Sequence, residues 1–179
     1  MVSELPIEVD DLVVLLLGAQ EKATSDGARI EGITRLEKLA FLFDREFDAD
    51  WLNQDPEFVP HKFGPFSAEI YRAVELLSAA NLITDSGSLA STSEDSWESA
   101  NIVGDGDRDR FATRNFELTE LGHRYFSRLL EGLPDGTEKA LISFMQRYGS
   151  MRLRQLIRYV YERYPAYTGK SEIVDDVMR

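Results

Sequence analysis

Apolar positions recur with helical period in several stretches of the chain, and the breaks between them mark its organisation. After Pro6, Val9, Leu12, Val13 and Leu16 lie three or four residues apart, with Asp10 and Asp11 in the first turn, where carboxylates favour the positive end of the helix dipole. The spacing predicts a helix over 7–22, followed by loop chemistry to Gly32. Next, Thr34 and Glu37 read as a Thr-x-x-Glu capping box, and Leu36, Leu39, Ala40, Phe43 and Phe47 share one face of a second helix. The aromatic stretch 58–66 carries Pro60 and Pro65 and should run extended, because each proline pushes its predecessor out of the helical region.

Ser67 is placed to cap a third helix whose inward residues are Ile70, Ala73, Val74 and Leu77, with Asn81 near its end and a short strand over 82–84. Residues 85–110 hold six Ser and seven acidic residues with Trp97 as the sole aromatic, so they read as a long hairpin or a mobile loop. A returning strand over 111–118 and a fourth helix with Tyr125 and Leu129 follow. Asp135 and Glu138 resemble a capping box for a fifth helix bearing Leu141, Phe144, Met145 and Tyr148. The stretch 148–150 should close that helix and cap a sixth, whose stripe is Leu153, Leu156, Ile157, Val160 and Tyr164. The last few residues are expected to fray.

Helix, helix, turn, helix, strand, long hairpin, strand, helix is the order of a winged helix-turn-helix core. The expected class is therefore mostly α with a small β hairpin. Residues 1–133 would form the winged-helix-like domain, with 85–110 as an acidic wing, and 134–179 a C-terminal helix pair packed on the core or in a dimer interface.

The run Thr34-Arg35-Leu36-Glu37-Lys38-Leu39-Ala40-Phe41-Leu42, followed by Lys62-Phe63-Gly64-Pro65-Phe66-Ser67-Ala68-Glu69-Ile70, resembles the pattern of the YwgA-like uncharacterised proteins. More distantly it is similar to the phage-associated Panacea (SocA/GepA-like) antitoxin domains. The likeness spans 32–83, with a looser echo over 148–165. It implies a winged-helix-like core without established catalytic residues and, for the Panacea relatives, a role in binding other proteins. Read physically, the turn holds Gly64 extended before Pro65, lets Phe63 and Phe66 pack on either side of the bend and fixes the entry angle of the third helix.

Charge changes the picture. The 179 residues carry 32 acidic and 20 basic side chains, a formal charge of -12, and the basic set is fifteen Arg and five Lys. Scarce Lys on an acidic surface resembles proteins of salt-loving cells, and an ordinary acidic protein has the same balance. The stretch 139–170 runs the other way, with seven basic residues against Glu162 alone. Such asymmetry suggests that the two parts face different partners or each other.

The longest apolar run, 12–17, is too short to span a bilayer. With no Cys and no basic segment behind Met1, a cytoplasmic protein without disulfides or membrane contact is expected.

Chemistry-bearing motifs are sparse. Asp105-Gly106-Asp107-Arg108-Asp109 starts like a calcium loop but has Arg110 at the sixth position and Phe116 at the twelfth, so it reads as a solvated turn. His61 and His123 have no companion at metal-ligand spacing. No phosphate loop or nucleophile elbow is present, and no enzyme, metal or cofactor is expected.

Two functions remain. A nucleic-acid-binding transcriptional regulator would contact phosphates through Arg72 on the third helix and Arg152, Arg154 and Arg158 on the sixth. A protein-interaction module would use Phe63, Phe66 and Tyr159. The face Ala68, Arg72, Glu75, Ala79, with Glu69 beside it, is a poor reader of DNA. The arginines of the sixth helix suit internal or homodimer ion pairs as well as a ligand. The fold leans to nucleic acid, by analogy.

Overall fold

The computed structural model describes residues 6–25, 29–89 and 112–179. Within them the chain is mostly helical with a small antiparallel sheet, and no helix is long and apolar enough to cross a membrane. The expected acidic wing falls largely at 90–111, with Trp97 and the Asp105–Asp109 turn, and lies outside the described residues.

Helix α1 (Val9–Ala23) opens with the Glu8 amide donating to Asp11 Oδ2 at 2.9 Å. It buries far more than the face its periodicity marks: Val14, Leu15 and Leu17 are as enclosed as Leu12, Val13 and Leu16. The cause is position, since α1 packs against four other helices and the sheet and has little solvent face to keep polar.

Strand β1 (Ile30–Glu31) lies in the stretch read from sequence as loop, and it pairs with a strand more than eighty residues away. That pairing relocates the start of α2 (Ile33–Glu46). Gly32 donates to Arg114 O at 2.7 Å and takes φ +92°, a conformation open to glycine, and serves as N-cap. The expected capping box is therefore corrected: Thr34 and Glu37 sit inside the helix and are buried.

The extended aromatic stretch is a two-stranded hairpin of β2 (Val59–His61) and β3 (Gly64–Phe66), with Val59 opposite Phe66 and His61 opposite Gly64. Ser67 caps α3 (Ala68–Ala79) as expected, accepting from the Ile70 amide at 3.3 Å, and Ile70, Ala73, Val74 and Leu77 are buried. The helix stops in a Schellman arrangement: Leu82 N–H bonds Leu77 O, Asn81 N–H bonds Ser78 O, and Asn81 holds φ +58°.

Strands β4 (Ile83–Leu89) and β5 (Ala112–Leu118) pair along their length, and the sheet order is β1-β5-β4. Thr119 then caps α4 (Glu120–Glu131).

Helix α5 (Thr137–Tyr148) starts at Gly136 in the left-handed region, with no side-chain cap, so the expected Asp135–Glu138 box is not formed. Nor does Ser150 cap α6 (Leu153–Arg163); its hydroxyl turns back to Gln146 O, and Arg152 takes the cap position. Helix α5 packs on α1 and α6 on α2. Leu141 and Met145 join the core from α5, and Leu156, Ile157 and Val160 from α6. Tyr161 is buried and Tyr164, expected in the stripe, is half-buried. The chain end, expected to fray, forms a 3-10 turn at Pro165–Tyr167 and a short α7 (Val174–Met178) that buries Ile173 and Val177.

Candidate interaction surface

The corner between the hairpin and α3 is held from below by two ionisable side chains that the helical wheel does not flag. Glu37 and Lys38 are 3% and 2% exposed. Lys38 Nζ donates to Pro65 O at 2.9 Å, and Glu37 Oε2 accepts the Ser67 amide at 3.0 Å. Ser67 in turn donates its hydroxyl to Pro56 O. Burial pushes the Glu37 carboxyl up to about 8, against the opposing pull of Lys38 and the Ser67 amide, and its Oε1 has no hydrogen-bond partner among the described residues. Adjacent residues of α2 thus clamp both ends of the Pro65–Ser67 segment. Every residue of the run Leu36–Phe43 is buried, which leaves Glu37 and Lys38 no polar face, and the sequence alone does not signal it.

The hairpin presents an aromatic ladder outward. The His61 ring stacks on Phe66 at 4.7 Å and 29°, and Phe66 meets Tyr71 of α3 at 5.3 Å. Val59, across from Phe66, is 50% exposed. On the other side Gly64, at φ +88°, lies on Tyr161, where an added Cβ would come within 2.6 Å of the ring. Of the two phenylalanines expected to hold a partner, both are half-buried; Phe66 belongs to this ladder, whereas Phe63 packs against the core.

Tyr159 stands elsewhere, in a cluster around the end of α2. The hydroxyls of Tyr148, Tyr159 and Tyr164 all donate to the Glu46 carboxylate, at 3.1 Å for Tyr159 and 2.8 Å for Tyr164. Burial works against the ionised Glu46, but the three donors and nearby Arg147 outweigh it and hold its carboxyl below the usual range. Burial, reinforced by Glu46, raises the Tyr164 hydroxyl to about 12 and that of Tyr148 further. The cluster clasps α5 and α6 to α2.

The four arginines expected at phosphates are dispersed. Arg72 is 72% exposed at its side chain but is bonded to Glu69 at 3.2 Å. Arg158 is held by Glu162 at 2.9 Å, and Arg154 donates to the Asp176 carbonyl. Arg152 is exposed at the start of α6. On α3 the solvent face is Ala68, Arg72, Glu75, Leu76 and Ala79; Leu76 is 55% exposed, and Glu75 reaches Arg114 at 3.9 Å.

A cleft of about 540 Å³ beside the end of α2 is walled by Phe43, Phe47 and Phe58 and rimmed by Asp44, Asp55 and Glu57. Burial raises the Asp44 carboxyl against the pull of Arg45, and Asp55 adds a smaller push upward. Among the described residues no three His, Asp or Glu are placed to hold a metal ion. His123 meets Glu21 at 2.6 Å and His61 stacks in the ladder, so each histidine has a structural neighbour.

No family model matches the chain, and no curated protein matches it.

Proposed function

We propose that this chain is a non-enzymatic winged-helix protein that binds another protein through the face made by the β2–β3 hairpin and α3. The order α1, β1, α2, α3, β4, β5 and the antiparallel sheet β1-β5-β4 support the winged helix, with α2 and α3 as its helix-turn-helix and the hairpin inserted in the turn. In that reading α3 stands where such folds carry a recognition helix.

What supports a protein partner is the chemistry of this face. DNA affinity comes chiefly from neutralised phosphates. Here the cation on the outer face of α3, Arg72, is already bonded to Glu69, beside Glu75 and the exposed Leu76. The observation that carries the proposal is the ladder of exposed His61 and half-buried Phe66 and Tyr71 next to exposed Val59, since aromatic side chains with an apolar neighbour are what interface centres are made of. The regulator reading rests on the fold and on Arg72, Arg152, Arg154 and Arg158, three of which are bonded within the chain.

A photo-crosslinking residue at Val59, in cells, should give a discrete protein adduct that His61→Ala weakens, and the same residue at exposed Glu131 on α4 should not. An adduct to nucleic acid at Val59, or the same products from both positions, would overturn the proposal.

A further inference from the structure

A hairpin of two three-residue strands is not stable by itself, so whatever pins it decides how firmly it is presented. From below it is pinned by α2, through Lys38 and Glu37. From the side it is pinned by the chain end. The Glu172 amide donates to Lys62 O in the hairpin turn at 2.7 Å, and the Glu172 carboxylate lies 3.8 Å from Lys62 Nζ. Tyr161, whose ring supports Gly64, shares a hydrogen bond of 2.7 Å between its hydroxyl and that of Ser171. The 3-10 turn at Pro165–Tyr167 lies against β2.

The anchor of this segment is small. It includes the buried side chains of Ile173 and Val177, the half-buried Val174, the packing of α7 on α6, and the bond from Arg154 to the Asp176 carbonyl. A five-residue helix that buries Val177, with Ile173 at its cap and Val174 half-buried, has far less burial to lose than the helices around α1, so it belongs to the low-stability end of the molecule.

We propose that residues 168–178 form a releasable strap that fixes the β2–β3 hairpin, and that opening of the strap loosens the hairpin while the helical core stays folded. The biological meaning rests on the hairpin being the binding face, because a pinned ladder is pre-organised for a partner and a loosened one is not. The strap itself is a property of the chain alone and is tested without a partner.

The experiment is hydrogen exchange followed by mass spectrometry on the whole chain and on two variants, Val177→Asp, which expels α7, and Tyr161→Phe, which removes the bond to Ser171. In Val177→Asp, peptides covering 58–67 should exchange about tenfold faster or more, with α1 and α5 unchanged. Tyr161→Phe should move the same peptides in the same direction by less. Unchanged exchange at 58–67 in Val177→Asp would overturn the proposal, and so would acceleration spread equally over α1 and α5, which would make the chain end part of the global core. Crosslinking at Val59 tests the binding reading separately, so the two can fail independently.

Discussion

Replacing Gly64 by alanine perturbs the corner in two ways whose sizes follow from its geometry. At φ +88° an L side chain is strained, at a cost of about 1–2 kcal/mol. The new methyl would also lie 2.6 Å from Cε1 of Tyr161, a ring that is 2% exposed and tied through its hydroxyl to Ser171, so it cannot swing aside freely. Overpacking of that kind costs about 1–3 kcal/mol. Together Gly64→Ala should destabilise by about 2–5 kcal/mol, and for a chain of this size each kcal/mol lowers Tm by about 2–4 °C, giving a fall of about 4–20 °C. Thermal melts of the wild type, Gly64→Ala, Tyr161→Ala and the double variant form a cycle that separates the two contributions. In the Tyr161→Ala background the clash is gone, and only the backbone cost of about 1–2 kcal/mol should remain. A Gly64→Ala protein melting within a degree of wild type, or an unchanged penalty without the Tyr161 ring, would refute the reasoning.

Further expectations follow from the titrating groups. The folded state keeps Glu37 protonated up to about pH 8, while the unfolded chain ionises it in the ordinary carboxylate range; the folded state therefore binds the extra proton, and stability falls as pH rises across that window. Glu37→Gln should flatten this slope in urea melts between pH 5 and 8, and an unchanged slope would contradict the buried pair. Glu46 behaves oppositely: its lowered pKa contributes stability above the ordinary carboxylate range that is lost as pH falls through the folded value, and Glu46→Gln should remove that acid-side loss. Asp44 is held above its ordinary range chiefly by burial, against the opposing pull of Arg45, so Asp44→Asn should raise Tm at neutral pH, and a melt unchanged or lowered would contradict that reading.

Local signals in the sequence carried much of the architecture. Ser67 and the inward set Ile70, Ala73, Val74, Leu77 were legible because a cap and a 3.6-residue stripe are encoded within one helix. What escaped depends on distant partners. Strand β1 exists because Ile30 and Glu31 meet Phe116 and Asn115, and that pairing, through Gly32, displaced the cap from Thr34. At α5 and α6 the caps went to Gly136 and Arg152, backbone arrangements that side-chain rules do not see. At the candidate surface, the outward position of Arg72 on α3 and the place of Phe66 at the turn were legible from local spacing. Hidden were Lys38 and Glu37, whose burial only the packed hairpin reveals, and Tyr159, which the fold carries off to Glu46.

The claim that this face serves a protein and not a nucleic acid is tested most directly by anisotropy of a labelled DNA duplex titrated with the chain at low and at high salt. The account predicts no saturable rise at either, with wild type and Arg72→Ala superimposable. A rise at low salt that collapses at high salt and is lost in Arg72→Ala would contradict it.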